Sequence, residues 1–151
     1  MRIRKFRVSD ARRTSYLVRK TMRHSLSAHY CKTVVDALCR VNTPARIIKR
    51  ASARQYFVAI ENKRMVGFMG IKGNEIKTAF VNPRYQGKSI GAALLKRIEE
   101  YAKSKSVDEL KVHSSIPAEK FYNKMGFKRL RRMKSSVENL QFTDILMKKK
   151  L

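Results

Sequence analysis

The stretch Thr78–Tyr101 reads TAFVNP, RYQGKSIG and AALLKRIEEY, a β-rich run followed by a turn, a glycine loop and a helix. Asn82 and Pro83 end the strand, because proline has no N–H to donate to a sheet. The apolar residues after the loop share one helical face and are Leu94, Leu95, Ile98, Tyr101 and Ala102. Gly87 and Gly91 let backbone N–H groups approach a ligand at the helix N-terminus, where the helix dipole favours an anion. The stretch therefore predicts a site for a phosphate-bearing ligand.

A P-loop is one interpretation of these glycines. Its pattern, GxxxxGK[ST], matches Asn82–Ser89 at Gly87, Lys88 and Ser89 but lacks the first glycine. A P-loop NTPase also needs a large parallel sheet and an acidic partner for Mg²⁺ on a later strand. The short remainder of the chain does not favour that architecture.

The composition predicts one globular domain over residues 1–151, since 151 residues can bury one substantial core. No apolar run approaches the roughly 20 residues that a membrane span needs. The basic segment Met1–Arg7 lacks the apolar region of a secretory signal. Cys31 and Cys39 have no metal-binding spacing, so we interpret them as free thiols and expect a reducing cytoplasm.

The charge balance is strongly basic, with 36 Lys+Arg against 11 Asp+Glu and a net charge of +25. The basic residues concentrate at Arg2–Arg23, Lys128–Lys134 and Lys148–Lys150. The chain has neither the aromatic signature of an RNA-recognition motif nor zinc-finger spacing. We therefore predict non-specific contact with nucleic acid at low salt and attraction of a polyanionic ligand.

Periodicity and turn residues predict the order of the other elements. The first part contains a strand and three helices, at Arg2–Arg7, Ser9 or Asp10 to about His24, Tyr30–Val41 and Pro44–Ala53. Tyr16 is expected among the inner residues of the first helix. An antiparallel meander follows, at Gln55–Ile60, Met65–Ile71 and Glu75–Val81. After the glycine loop and its helix come a strand, a short helix and a hairpin, at Glu109–His113, Pro117–Met125, Phe127–Lys134 and Leu140–Met147.

Two motifs carry a family resemblance. Gln86–Gly91 (QGKSIG) resembles the Q/R-x-x-G-x-G/A loop of the GNAT family of acyl-CoA-dependent N-acetyltransferases, which follows a V-x-P turn as it does here. Ser115–Phe127 (SIPAEKFYNKMGF) resembles the family's N-x-x-A-x-x-(F/L)-Y-x-x-x-G-F helix. The matching residues are Ala118, Phe121, Tyr122, Gly126 and Phe127.

The element order is similar to that family's over nearly the whole chain. The resemblance implies an α+β fold in three layers, with a mixed, mostly antiparallel sheet flanked by helices. It also implies that the sheet is splayed between its fourth and fifth strands, and that acetyl-CoA binds in this opening.

The resemblance implies a role for particular residues. The pyrophosphate would be bound by the loop residues Gln86, Gly87, Lys88, Ser89, Ile90, Gly91 and Ala92. Phe80, Val81 and Ser115 would bind the pantetheine arm. Tyr122 would donate a proton to the departing thiolate and Glu75 would accept the proton of the amine. His113 or a chain of water molecules is the alternative base.

Two residues depart from the family pattern. Ser89 occupies a position where the family usually has glycine, and its hydroxyl is expected to donate to the pyrophosphate. Ser115 occupies the position of an asparagine, which has more hydrogen-bonding capacity. Both substitutions concern the affinity for the cofactor more than the fold.

The expected reaction is direct transfer of an acetyl group to a primary amine in a ternary complex, with no metal and no acyl-cysteine intermediate. The net charge favours acidic or neutral amines over polyamines. A homodimer is the default assembly. The alternative is a non-catalytic acyl-CoA-binding or nucleic-acid-associated module on the same fold, which the charge and the two serine substitutions would suit.

Overall fold

A seven-stranded sheet forms the centre of the computed structural model, which describes all 151 residues. The strands are β1 (Arg2–Lys5), β2 (Gln55–Glu61), β3 (Arg64–Lys72), β4 (Glu75–Val81), β5 (Glu109–Ser114), β6 (Lys128–Val137) and β7 (Leu140–Lys150). Their order across the sheet is β1-β2-β3-β4-β5-β7-β6. All neighbouring strands are antiparallel except β4 and β5, which are parallel.

Helices cover both faces of the sheet. They are α1 (Ala11–Leu26), α2 (Lys32–Arg40), α3 (Pro44–Ala51), α4 (Ile90–Ser104) and α5 (Glu119–Lys124). Leu94, Leu95 and Ile98 of α4 pack on one face, while Leu17 and Val18 of α1 belong to the core on the other face. These two layers and the sheet between them form the predicted three-layer α+β arrangement. None of the helices is long and apolar enough to cross a membrane.

The parallel pair β4–β5 separates soon after it begins. Its paired residues are Glu75 with Lys111 and Ile76 with Val112. The rest of β4 remains paired with β3 as far as Val81, while β5 pairs on its other side with β7. The residues of β4 from Thr78 to Val81 therefore have no strand partner on the side facing β5. This opening confirms the predicted splay between the fourth and fifth strands.

The start of α1 differs from the prediction. Asp10 does not cap the helix with its side chain. Its carboxylate accepts a hydrogen bond from the N–H of Arg7 at 2.8 Å and pairs with Arg4 and Arg13, each at 2.8 Å. Tyr16 was expected inside, but it is 64% exposed, because the buried stripe of α1 runs through Leu17 and Val18 instead.

Candidate active site

A cavity of about 620 Å³ lies at the open end of the gap between β4 and β5. This volume is within the range of roughly 300–1,000 Å³ that is typical of small-molecule sites. The predicted site residues that line it are Phe80, Val81, Gln86, Gly87, Ser89, Ile90, Gly91, Ala92, Ser115 and Tyr122. Lys88 and Glu75 are outside this lining.

The glycine loop presents a row of free backbone donors at the N-terminus of α4. No N–H group from Gly87 to Ala92 donates a hydrogen bond to a protein acceptor. Gly87 has a φ of 78° and Ser89 a φ of 63°, both in the left-handed region. These two residues turn the chain so that the carbonyl of Ser89 can accept the N–H of Ala93 at 3.0 Å and start the helix. Free N–H groups at a helix N-terminus form a binding site for a phosphate.

The side chains of the loop have roles that the motif does not specify. The side-chain amide of Gln86 donates to the carbonyl of Val81 at 3.2 Å and so ties the loop to the end of β4. The ammonium of Lys88 lies 5.3 Å from the centre of the Tyr85 ring. The side chain of Ser89 makes no capping bond to α4. Ser89 is an exposed residue of the loop.

Gly91 allows the loop to pack closely against the second motif. A Cβ atom at this position would lie 3.0 Å from Cε1 and 3.2 Å from Cζ of Phe121. These distances are shorter than an ordinary carbon–carbon contact of about 3.5–4.0 Å. The glycine therefore lets α4 approach Phe121 closely, which brings the two motifs together on one side of the cavity.

Tyr122 is almost completely buried at the cavity, with 3% of its surface exposed. Its ring makes edge-to-face contacts with Phe121 at 5.1 Å and Phe127 at 5.2 Å between centroids. Burial is the sole cause that raises the pKa of its phenol, which makes no hydrogen bond with the protein. The hydroxyl is therefore a protonated donor that is free to bind a ligand.

Ser115 lines the same cavity at the start of the second motif. Its carbonyl accepts the N–H of Ala118 at 3.1 Å and the hydroxyl of Ser114 at 2.8 Å. Its own side chain makes no capping bond, so its hydroxyl is free for a ligand.

The two candidate bases lie together where β4 and β5 begin to separate. Glu75 accepts a hydrogen bond from the Lys77 ammonium at 3.2 Å. Its other oxygen is 3.8 Å from Nε2 of His113, whose Nδ1 is 3.2 Å from the Asp144 carboxylate. Neither Glu75 nor His113 is part of the cavity lining.

The helices at 11–53 were expected to help shape the acceptor site, but no motif identified the individual α1 residues that form one end of the cavity. These residues are Thr21, Met22, His24, Ser25 and Leu26. Their helical spacing predicts that they are buried, but it does not predict that they line a cavity. No aspartate or glutamate lines the cavity; its charged or titratable lining side chains, apart from Tyr85 and Tyr122, are His24 and Lys124.

The model of the acetyltransferase (GNAT) domain matches residues 22–151. The chain belongs to the GNAT acetyltransferase family. It is similar to the uncharacterized N-acetyltransferase YafP of Escherichia coli K12, with 27% identity over 150 residues, 99% of this chain and 96% of that protein. Family membership confirms the predicted resemblance and makes the chain an acetyl-CoA-dependent N-acetyltransferase.

Solved structures share the GNAT fold. A GCN5-related N-acetyltransferase from Rhodopseudomonas palustris has a TM-score of 0.94 at 24% identity, covering 99% of this chain and 95% of that one. The PaiA N-acetyltransferase of Thermoplasma acidophilum, in complex with coenzyme A, has a TM-score of 0.83 at 22% identity, with coverage of 99% and 98%.

Proposed function

We propose that this GNAT protein transfers the acetyl group of acetyl-CoA directly to a primary amine within a ternary complex. The observation that carries the proposal is the arrangement around the opening between β4 and β5. Free backbone donors, an unpaired strand edge and an unbonded phenol face one cavity. This combination suits a ligand with a diphosphate, an amide-bearing arm and a reacting sulfur.

The donor would be held mostly by main-chain groups. The N–H groups from Gly87 to Ala92 would bind the diphosphate, helped by the dipole of α4. The unpaired edge of β4 at Phe80 and Val81, together with the hydroxyl of Ser115, would bind the amides of the pantetheine arm. A backbone N–H at this edge would also stabilise the negative oxygen that forms on the acetyl carbonyl. Lys88, beside the loop, would add positive charge.

The acetyl carbon would form a bond to the nitrogen as its bond to sulfur breaks. An amine attacks only after it loses its ammonium proton, and we assign that proton to Glu75 through water, with His113 next to it. The thiolate needs a proton as it departs, and the phenol of Tyr122 supplies it. The second proton of the attacking nitrogen restores the phenol through solvent, so that one proton is released per turnover.

The cavity favours an acceptor without a second positive charge. Its lining contains no carboxylate, and His24 lies at the end formed by α1. The carboxylates where β4 and β5 separate, Glu75 and Asp144, already have partners. A second ammonium would enter a positively charged protein without a counter-charge, which is unfavourable. The acceptor is therefore an amine with a neutral or anionic group.

Three matched amines test the reaction and the acceptor class together. Propylamine, β-alanine and ethylenediamine share an aminoethyl group and carry a neutral, an anionic and a cationic substituent. The release of free CoA is measured with each amine, with acetyl-CoA alone as the blank. We expect kcat/KM to be lower for ethylenediamine than for the other two by about tenfold at low salt. Preference for ethylenediamine would contradict the acceptor class, and no CoA release with any amine would contradict the proposed reaction.

A further inference from the structure

Four polar side chains lie in a row across neighbouring strands, at the point where β4 and β5 separate. His113 is the first residue of β5 beyond its last pair with β4. Its Nε2 lies 3.8 Å from Oε1 of Glu75 on β4, and its Nδ1 lies 3.2 Å from Oδ1 of Asp144 on β7. The other oxygen of Asp144 accepts a hydrogen bond from the hydroxyl of Ser135 on β6. We call these four residues the apex row.

The burial of Asp144 decides which nitrogen of His113 carries the proton. Asp144 is 4% exposed, and a buried carboxylate needs hydrogen-bond donors. Ser135 donates to one oxygen, so the N–H of the imidazole must donate to the other. The proton of neutral His113 is then on Nδ1, and Nε2 has a free lone pair toward Glu75.

We propose that Asp144 is a positioning residue that holds His113 in this tautomer, and that Nε2 of His113 carries the proton of the acceptor amine from Glu75 to solvent. This inference rests on the proposed function. Ser115, two residues beyond His113 and about 7 Å along an extended chain, lines the cavity. The apex row is therefore next to the site where the amine would lose its proton.

The groups around the imidazole suit a proton carrier better than a permanent ion pair. The chain has 36 Lys+Arg, yet the partners of the Asp144 carboxylate are the imidazole of His113 and the hydroxyl of Ser135. Lys77 bonds to Glu75, and the ammonium of Lys134 donates to the hydroxyl of Thr143 at 3.3 Å.

A neutral phenol faces the apex row from the α1–α2 connection. Tyr30 donates to the carbonyl of Thr143 at 2.8 Å. Burial, and to a smaller extent the charge of Asp144, raises the pKa of Tyr30. Tyr30 therefore stays protonated beside the apex row, and the imidazole of His113 is the proton acceptor next to Glu75.

The apex row would carry the proton that the reaction releases. A protonated primary amine and acetyl-CoA give an amide, free CoA and one proton. That proton passes from the amine through water to Glu75, then to Nε2 of His113. It leaves from there, because 33% of the His113 side chain is exposed to solvent. The Nδ1–H bond to Asp144 stays in place, and the imidazolium is stabilised by the carboxylate.

The tautomer can be measured without any acceptor. The chain has three histidines, and comparison with His113→Gln assigns the signals of His113 in proton–nitrogen correlation spectra. At about pH 8.5, where imidazole is neutral, we expect the proton on Nδ1 in the wild type and in Ser135→Ala. Asp144→Ala should move it toward Nε2. A wild-type proton on Nε2 would overturn the inference, and this result needs only the wild type and the His113→Gln variant that assigns its signals.

Kinetics separate a positioning role from a structural one. The acceptor is propylamine or β-alanine, whichever gives the higher kcat/KM. Asp144→Ala should lower kcat by about tenfold or more, leave the KM for acetyl-CoA unchanged and move the acidic limb of the pH–rate profile to lower pH. Ser135→Ala, which removes the other bond of Asp144, should retain the wild-type profile.

An unchanged kcat and pH profile in Asp144→Ala would overturn the inference. The proposed function would still stand in that case if Tyr122→Phe lost turnover. A wild type that releases no CoA with any amine would instead contradict the proposed function and the inference together.

Discussion

Replacing Tyr122 by phenylalanine should reduce turnover with little effect on stability. The phenol is buried and makes no hydrogen bond with the protein, so its removal breaks none. The hydroxyl is open to the cavity and is not one of the buried polar atoms without a partner, so its removal should change the stability by under about 1 kcal/mol. For a chain of 151 residues, 1 kcal/mol corresponds to about 2–4 °C in Tm. The Tm of Tyr122→Phe should therefore lie within about 4 °C of the wild-type value.

The activity of the same variant should fall in kcat. Loss of a general acid typically costs about 100-fold or more, while the main-chain contacts that would bind acetyl-CoA are unaffected. Burial raises the pKa of Tyr122 above its ordinary value, so the phenol stays protonated throughout the assay range. The assay is CoA release, with acetyl-CoA affinity from calorimetry and Tyr101→Phe, a tyrosine on α4 that packs against Phe57, as the control. Wild-type kcat, or a lower Tm with weaker acetyl-CoA binding, would refute the proposed acid role.

Two matched pairs of variants test the loop and the start of α1. Gly87 and Gly73 both have positive φ and open space where a Cβ atom would lie, so alanine at either should cost about 1–2 kcal/mol in stability. Of these two variants, only Gly87→Ala should weaken the binding of acetyl-CoA, measured by calorimetry. Equal affinities of the two variants for acetyl-CoA would refute the loop site. Asp10→Asn should lower stability by about 3 kcal/mol, measured by urea unfolding, while Asp36→Asn, at an exposed pair, should lower it much less. The hydrogen bond from Arg4 lowers the pKa of Asp10, so its stabilisation should be complete above about pH 4 and decline as the pH falls further. A flat stability from pH 6 down to about pH 2 would contradict this.

Local sequence signals predicted the elements around the site because those signals are strong. Gly73-Asn74 and Asn82-Pro83 are turn residues on both sides of β4, and the observed strand is Glu75–Val81 as predicted. Gly126 has a φ of 95° and follows the short helix α5, as a left-handed closing residue should. Neither signal depends on how distant parts of the chain pack.

Contacts between distant segments could not be predicted in the same way. The periodicity of the last hairpin does not say which of its strands pairs with β5. In the structure β7 lies between β5 and β6, with Ile145 and Met147 in the core. The basic strand β6 forms the edge, where charged side chains prevent association with other strands. Asp144 lies next to His113 only because β7 pairs with β5, so the apex row could not be predicted from the sequence.

The most direct measurement is calorimetric titration of the wild type with acetyl-CoA and, separately, with acetylpantetheine, which lacks the diphosphate and the phosphorylated adenosine attached to it. Free N–H groups from Gly87 to Ala92 should make the diphosphate the main source of affinity. We expect acetyl-CoA to bind at least about 100-fold more tightly, and Gly87→Ala to reduce that difference while Gly73→Ala does not. Equal affinity for the two ligands, or no binding of acetyl-CoA at millimolar concentration, would contradict the proposed donor site.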